Sequence, residues 1–510
     1  MLIKIQSALN MGLETMGVDV EINVAGRGLP GFDIVGLPSK AVDESKERVR
    51  TAITNSKIEF PTRKITVNLA PADIPKEGSF YDLPIAIGIL SAVTQCQVPE
   101  KTLFFGELSF DGTLRHTRGA VLLALFAREK GFESIFVPKD SANEAAIIPG
   151  VKVFGASNLS EVLAHLLLRQ KIEPVIYKES SSVPAEEFEF DMAEILGQEQ
   201  AKRATEIAAA GGHNIIMAGS PGAGKTMLAR ALPGILPVLN NEESLEVTKI
   251  YSTTGNIPAG GSVIKIRPFR APHHSISLAG LIGGGSRPQP GEISLAHRGV
   301  LFLDEFNEFS RQALEAMRQP IEDGCVTIAR SRGRVKYPAS FTLAASANPC
   351  PCGYLNHPTK SCVCTPREVK KYQKRVSGPI LDRIDLHVEV PSVDINELSE
   401  DKRLVKFLES SASIRNRVAK SRIIQQRRFE EDAIQTNAEM KNRQIKKYCP
   451  LSKQVDQMLR RAANAFQLSA RSYFKMIKVA RTIADLAESK EIELSHMAEA
   501  LQYRMKMTND

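Results

Sequence analysis

Gly219-Ser-Pro-Gly-Ala-Gly-Lys-Thr226 matches the pattern G-x-x-x-x-G-K-[ST] at every fixed position, and its reading decides the fold. In such a loop the glycines let successive backbone N–H groups curl around phosphates. Lys225 is placed to reach the β- and γ-phosphates of a nucleotide, and the Thr226 hydroxyl to bind Mg²⁺. Gly219, Ser220, Pro221, Gly222, Ala223 and Gly224 make the cradle between them. The motif works only between a strand and a helix. Upstream, Ile215–Ala218 is an apolar run. Downstream, Met227–Leu232 reads as a helix whose positive end faces the anion.

Working outward, Val300-Leu-Phe-Leu-Asp-Glu305 is a second apolar run, ending in two carboxylates. Asp304 is expected to hold Mg²⁺ through water. Glu305 is expected to polarise the attacking water, the general-base role that ATP hydrolysis needs. Phe341-Thr-Leu-Ala-Ala-Ser-Ala-Asn348 is a third run. Its polar tip, Asn348, is suited to orient that water near the γ-phosphate. Continuous apolar runs alternating with helical stretches predict strands buried on both faces of a parallel sheet. The order P-loop, Asp-Glu, Asn along the chain is that of an AAA+ ATPase, an α/β fold. Gly378-Pro-Ile-Leu-Asp-Arg-Ile-Asp385 resembles the arginine-finger segment of that class. Arg383 is then expected to reach the nucleotide of a neighbouring subunit. Leu468-Ser-Ala-Arg471 opens a helix where the class keeps a second nucleotide-sensing arginine, here Arg471.

The remaining sequence divides around this core. Over residues 1–168, Val18, Val20, Ile22 and Val24 alternate with polar residues, as do Ile65, Val67 and Leu69. This is the period of half-buried strands. Gly26-Arg-Gly-Leu-Pro-Gly31 reads as a turn, Phe32–Val35 as the returning strand and Ala41–Asn55 as a helix. Phe110-Asp-Gly-Thr113 is a hairpin turn. Ser141-x-x-Glu144 and Asn158-x-x-Glu161 have the form of capping boxes. An α+β domain is expected here. Residues 169–190 are polar and aperiodic, hence a linker. The core spans 191–394, and a helical lid 395–510.

Composition sets the outer limits. The chain has 510 residues and a net charge of +8. No apolar run approaches the ~18 residues of a membrane span. No secretory signal opens the chain. A cytoplasmic protein is expected. Seven cysteines, an odd number, make a poor disulfide framework. Four of them, Cys350, Cys352, Cys362 and Cys364, crowd together, and four thiolates suit tetrahedral zinc. The C-x-C spacing is tighter than usual, and His357 inside the loop is a substitute ligand. Reduced thiols without metal are the alternative.

Positive charge has two notable concentrations. From Asp401 to Pro450 there are 13 Lys and Arg against 6 Asp and Glu. Between Cys325 and Pro338, Val326 and Ile328 share one face of a short strand, and Val335 and Tyr337 restart the alternation. The hairpin so formed carries Arg330, Arg332, Arg334 and Lys336 about its tip. An insertion, Ile257–Pro290, adds Arg267 and Arg270 among glycines and prolines. Such groups suit phosphates more than base edges, so DNA-binding is assigned to these six residues.

Gly197-Gln-Glu-Gln-Ala-Lys-Arg203, Arg267-Pro-Phe-Arg-Ala-Pro-His-His274, the P-loop and Gly378–His387 together resemble the ComM/YifB family of magnesium-chelatase-like AAA+ proteins. Gly36-Leu-Pro-Ser-Lys-Ala-Val-Asp-Glu44, Ser469–Phe474 and Val479–Leu486 extend the likeness over nearly the whole chain. The resemblance implies a homo-hexameric, ATP- and Mg²⁺-dependent motor on DNA, single-stranded, duplex or branched. It implies a helicase promoting branch migration while transforming DNA is integrated by recombination. Residues 1–168 also resemble the Lon protease domain: Pro75-Lys-Glu-Gly78 resembles its nucleophile segment, and Gly106-Glu-Leu through Val137-Pro-Lys139 the stretch carrying its lysine. Aligning Lys76-Glu-Gly78 puts Phe80 at the nucleophile, with Ser79 one residue off, and aligning Arg118-Gly119 puts Val121 at the lysine. A Lon-like fold without proteolysis is therefore expected. A magnesium-chelatase-type motor and a Lon-like ATP-dependent protease remain the alternatives.

Overall fold

The computed structural model describes residues 2–26, 29–177, 188–258, 263–285, 288–330, 333–392 and 409–505. They fall into two compact units. The first draws on Met1–Val183, Asn241–Ile264 and Ala329–Lys336; the second on Pro184–Asn240, Lys265–Ile328 and Tyr337–Asp510. Part of the expected linker, 178–187, and the expected boundary at 394 lie outside the described residues.

In the first unit the two-residue alternation does what its period dictates. β1 (Leu2–Met11) and β2 (Glu14–Val24) form an antiparallel pair with Ile5 opposite Val20. Val18, Val20, Ile22 and Val24 all face the core. With β3 (Gly31–Val35), β4 (Lys64–Ala70), β5 (Thr102–Phe104), β8 (Ser134–Pro138) and β9 (Lys152–Ala156), they make a mixed sheet of order β3-β4-β2-β1-β5-β8-β9. β6 (Glu107–Leu108) and β7 (Leu114–Arg115) flank the Phe110–Thr113 turn as a small hairpin. Three expectations are corrected. β3 does not return along β2; it pairs in parallel with β4, and β4 takes the place beside β2. β4 buries Ile65, Val67 and Leu69 whereas β3 buries only Ile34, so β3 suits the edge. The helix expected over 41–55 is two, Lys40–Asp43 and Ser45–Asn55. Ser141 caps nothing: the helix Lys139–Ala145 has already begun, and the Ser141 hydroxyl is spent on the backbone of Thr117. Asn158 does cap the helix Leu159–Leu166, accepting from the Glu161 N–H at 2.9 Å.

The helix Asn241–Thr254 folds with this first unit, although it stands 15 residues after the P-loop in the sequence. Ser252 anchors it: its carbonyl accepts the Gly119 N–H at 3.0 Å, and its hydroxyl donates to the buried Glu144 carboxylate.

The second unit is built on five parallel strands: β10 (Ile215–Ala218), β11 (Phe269–Arg270), β14 (Val300–Leu303), β17 (Thr342–Ala347) and β18 (Leu386–Glu389), in the order β11-β14-β17-β10-β18. The apolar runs at 215–218, 300–303 and 342–347 are its three central strands, buried as expected. β12 (Gly283–Gly284) and β13 (Gln289–Pro290) pair within the insertion, and β15 (Cys325–Arg330) and β16 (Gly333–Pro338) form the basic hairpin, of which Ala329–Lys336 count with the first unit. The C-terminal helices share one hydrophobic core with this sheet, from Ile215 and Leu228 through Val418 and Leu459 to Val479 and Leu501.

A buried polar network fixes the long helix Ala470–Leu486 to that sheet. Asp485 receives Arg428 on both oxygens, Arg481 at 3.0 Å and the Asn437 amide at 2.8 Å. Asn437 reaches Thr482, whose hydroxyl meets His213 at 2.8 Å. His213 in turn lies 3.5 Å from Asp385, just before β18. Arg481 is 2% exposed. Removing its counter-charge by Asp485→Ala strands a buried guanidinium. We expect a loss of about 3–5 kcal/mol, read as a lower urea midpoint for this unit. A loss below about 1 kcal/mol would show that water or backbone carbonyls satisfy Arg481 unaided.

Candidate nucleotide site

Register brings the site together. Along β17, Ala344 stands opposite Ile215, and Ala345 opposite Leu303. The residues that follow at the carboxyl ends, Gly219, Asp304 and Asn348, therefore meet at one edge of the sheet. Gly219 has no room for a side chain, because a Cβ would run into the Val390 carbonyl. The loop then climbs over the helix Lys225–Ile235 through Gly222 at φ 80° and Gly224 at φ 89°. That helix begins two residues earlier than its apolar pattern suggests, at Lys225 itself.

Two P-loop side chains, Lys225 and Thr226, have defined partners. Lys225 is buried and its ammonium donates to the carbonyls of Gly219 (2.7 Å) and Ser220 (2.8 Å) and to Asn348 Oδ1 (3.3 Å). Burial lowers its pKa, opposed by the charge of Asp304. Thr226 donates to Asp304 Oδ2 at 3.2 Å. The other Asp304 oxygen takes the Ser346 hydroxyl and the Glu305 N–H. A hydroxyl and a carboxylate side by side are hard oxygen donors of the kind Mg²⁺ takes. Glu305 sits in the left-handed region at φ 52°. Such a conformation in a residue with a Cβ costs of order 1–3 kcal/mol and needs its surroundings to hold it. Here the Glu305 N–H is held by Asp304 (3.0 Å) and Ser346 (3.3 Å).

Two further side chains belong to this site that sequence reasoning did not assign to it. Ser346 hides inside an apolar strand. His274 stands at the end of the Arg267–His274 segment, with no carboxylate near it in the sequence. Its Nδ1 lies 3.2 Å from Glu305 Oε2, and its ring lies against that of His273, tilted by 34° with centroids 4.1 Å apart. A residue 31 positions upstream thus stands against the carboxylate expected to act on water.

Arg383 and Arg471 converge in the same chain on one carboxylate oxygen, Glu322 Oε1, Arg383 at 2.8 Å. Arg383 is largely buried, and its Nη1 also donates to the Pro379 carbonyl. Arg471 lies in the first turn of the helix Ala470–Leu486, which Ser469 caps. The two arginines singled out by sequence therefore form one cationic pair, and Glu322 is the partner that sequence reasoning missed.

The DNA-facing assignments separate. Arg334 and Lys336 are exposed, while Val326, Ile328, Val335 and Tyr337 are buried beneath them, as the alternation requires. Arg332 and the side chain of Arg330 lie outside the described residues. Arg267 and Arg270 are corrected. Arg267 donates to the carbonyls of Pro237 (2.6 Å) and Arg298 (2.7 Å), and Arg270 forms a two-pronged pair with Glu292 at 2.6 and 2.8 Å. These donors are engaged inside the protein, bracing β11 and the insertion.

The four cysteines come together, each as a free thiol. Cys350 Sγ is 3.4 Å from Cys352 Sγ and 3.7 Å from Cys362 Sγ, and Cys352 Sγ is 3.5 Å from Cys362 Sγ. A tetrahedron of sulfurs around zinc at about 2.3 Å has edges of about 3.8 Å. Cys364 completes the set and accepts the Cys352 N–H at 3.4 Å. N–H groups of Tyr354 and Val363 draw the Cys352 thiol down to about 6. His357 takes no part in the set; its ring accepts from the backbone of Thr359 and Lys360.

Among the described residues of the first unit, those that the protease alternative names form no dyad. Phe80, at the nucleophile position, stacks on Phe105 at 4.5 Å, and Val121 is buried. Ser79 hydrogen-bonds Glu107, while Lys76 gives its ammonium to the Pro71 carbonyl. Neither is available to activate the other.

Comparison with known proteins identifies the family. Residues 191–398 match the model described as magnesium chelatase, subunit ChlI; residues 20–141 match that for subunit ChlI of Mg-chelatase; residues 408–504 match the ChlI C-terminal model. The chain is 41% identical to the competence protein ComM of Haemophilus influenzae over 98% of its length and 97% of ComM. It is 42% identical to YifB of Escherichia coli, over 97% of this chain and 95% of YifB. The magnesium-chelatase 38 kDa subunit of Cereibacter sphaeroides is 27% identical over 31% of this chain and 53% of that subunit. With its P-loop, Asp-Glu strand and Asn348 at one sheet edge, the chain belongs to the ComM/YifB family of magnesium-chelatase-like AAA+ ATPases.

Proposed function

We propose that this ATPase is a homo-hexameric motor that moves DNA, and that its task is branch migration during integration of transforming DNA. The observation that carries the reading is the convergence of Lys225, Thr226, Asp304, Glu305 and Asn348, in a chain alike to ComM from end to end. The chelatase alternative rests on a likeness over 31% of the chain. The protease alternative is disfavoured by Phe80 and Val121. Among the described residues no helix is long and apolar enough to cross a membrane, in keeping with a cytoplasmic motor.

In this reading the loop N–H groups and Lys225 hold the nucleotide's phosphates. Thr226 and Asp304 would hold Mg²⁺, which neutralises charge on the β- and γ-phosphates. Glu305, oriented by His274, takes a proton from the attacking water, and Asn348 positions that water. Arg383 supplies positive charge to the γ-phosphate of the adjoining subunit's ATP and Arg471 serves as a second nucleotide-sensing arginine, both leaving Glu322 to do so. The exposed cations of the β15–β16 hairpin grip the DNA backbone. The thiols of Cys350, Cys352, Cys362 and Cys364 hold a structural zinc.

The deciding experiment is ATPase activity with and without single-stranded, duplex and branched DNA. Stimulation by branched DNA supports the motor; indifference to every DNA argues for another polymer or a chelatase. Lys225→Ala should abolish nucleotide binding. Glu305→Gln should retain binding and lose turnover by about 10²–10⁴-fold; wild-type turnover would remove Glu305 from the chemistry. Mixing Arg383→Ala with Lys225→Ala subunits pairs an intact loop with an intact arginine in some interfaces. Activity should reappear on mixing, and its absence would count against an arginine acting between subunits. For the grip, Arg334→Ala with Lys336→Ala should weaken DNA binding. It should also flatten the log–log salt dependence by up to about 0.9 for each phosphate that the variant no longer neutralises. Basal ATPase should be kept. An unchanged slope would move the grip elsewhere.

A further inference from the structure

The four-thiol cluster is built onto the nucleotide loop. Asn348, the residue that holds Lys225, is separated from the first thiol, Cys350, only by Pro349. The chain then turns back through Cys350-Pro-Cys-Gly353, closed by the Gly353 N–H on the Cys350 carbonyl at 3.0 Å. Gly353 adopts φ 81°, and a Cβ placed there would lie 2.6 Å from Pro221 Cδ in the P-loop. The turn that carries two of the thiols thus rests directly on the phosphate cradle.

The rest of the excursion has little else to hold it. Between the two C-x-C pairs, Tyr354 and His357 touch each other at 5.6 Å, and Lys360 lies over the Tyr354 ring at 4.9 Å. The segment is mostly at the surface, and its most deeply buried side chain is Cys350, at its start. Beyond Cys364 the capped helix Pro366–Gln373 returns the chain, and Gln373 donates to the Pro349 carbonyl at 3.1 Å. That bond closes the base of the loop but not its tip. A loop of this length without a core of its own needs a cross-link to keep one conformation.

We infer that a zinc ion on Cys350, Cys352, Cys362 and Cys364 fixes the turn at Gly353 against Pro221 and so holds the P-loop and Asn348 in their nucleotide-binding geometry, making ATP affinity dependent on the metal. This rests on reading the four thiols as a zinc site and goes beyond it by coupling that site to the nucleotide. The coupling is reciprocal by thermodynamic necessity: if zinc tightens ATP binding, ATP tightens zinc binding by the same factor.

The experiment uses the full chain purified without chelator. Elemental analysis should give about one zinc per chain, and Cys362→Ser should lose it. A fluorescent ATP analogue should then bind the variant more weakly, by roughly 5–150-fold, the usual range of such couplings. Gly353→Ala keeps all four thiols and should keep zinc while weakening the nucleotide, since it crowds Pro221 and strains the left-handed turn that rests on the phosphate cradle. Should Cys362→Ser fail to fold, zinc release from wild-type protein to a chromophoric chelator gives the answer, and saturating ATP should slow it. Protein without zinc overturns the metal reading itself. Zinc that leaves Cys362→Ser, or leaves wild-type protein at the same rate with and without ATP, while nucleotide affinity stays constant, overturns the coupling and leaves the metal site standing.

Discussion

The register of three parallel strands is the constraint on which the site depends. β17 lies between β14 and β10, and its pairing sets how far each neighbour extends at the carboxyl edge. Asp304 lands beside Ser346, and Gly219 donates its N–H to the Ala347 carbonyl at 3.1 Å. A shift of one residue would turn each tip to the opposite face of the sheet. The shift is resisted by apolar side chains on both faces, and by Asn214, which donates its N–H to Asp385 and accepts from Leu343. One residue at the start of β10 thereby aligns both of its neighbours.

Much of this edge was legible because short-range rules govern it. The P-loop is a contiguous pattern, and the strands that feed it are contiguous apolar runs. The alternations at 18–24 and 65–69 likewise report their own burial. What escaped is what depends on distant partners. Ser346 reads as one more small residue in an apolar strand until Asp304 is beside it. Arg267 and Arg270 look like free cations in a glycine-rich insertion, and only the fold brings them the carbonyls of Pro237 and Arg298 and the carboxylate of Glu292. Glu322 is 61 residues from Arg383 and 149 from Arg471, beyond any local spacing rule. The misread cap at Ser141 shares this cause, since a tertiary partner, Thr117, outcompeted the helix end.

The division of the chain was hidden for a different reason. Sequence order suggests that everything between the P-loop and the Asp-Glu strand belongs with the sheet. Yet Asn241–Thr254 satisfies its buried polar groups in the first unit, through Gly119 and Glu144. The Glu144 carboxyl is pushed up by burial, with the Ser252 hydroxyl and the Val121 N–H opposing. A buried carboxyl must keep its donors, so this helix is fastened by a polar requirement as well as by apolar area. Composition alone gives no sign of such a requirement.

Lys225 shows how the site is prepared for its ligand. In this structure its ammonium is desolvated and yet satisfied, by two carbonyls of its own loop and by Asn348. Binding a triphosphate therefore exchanges these neutral acceptors for charged oxygens, and does not rescue a stranded charge. The bonds that the ammonium makes now are already charge-assisted, the class that is roughly twice as strong as neutral–neutral bonds; the phosphate adds a charge on the acceptor. The gain is the difference between the two sets, not the full strength of the new one. The freed carbonyls of Gly219 and Ser220 and the freed Asn348 amide must then find partners within the loop or in solvent. A loop that held its shape during this exchange would lose least, which is why the residues around it, Gly353 against Pro221 and Val390 against Gly219, leave so little space for it to relax.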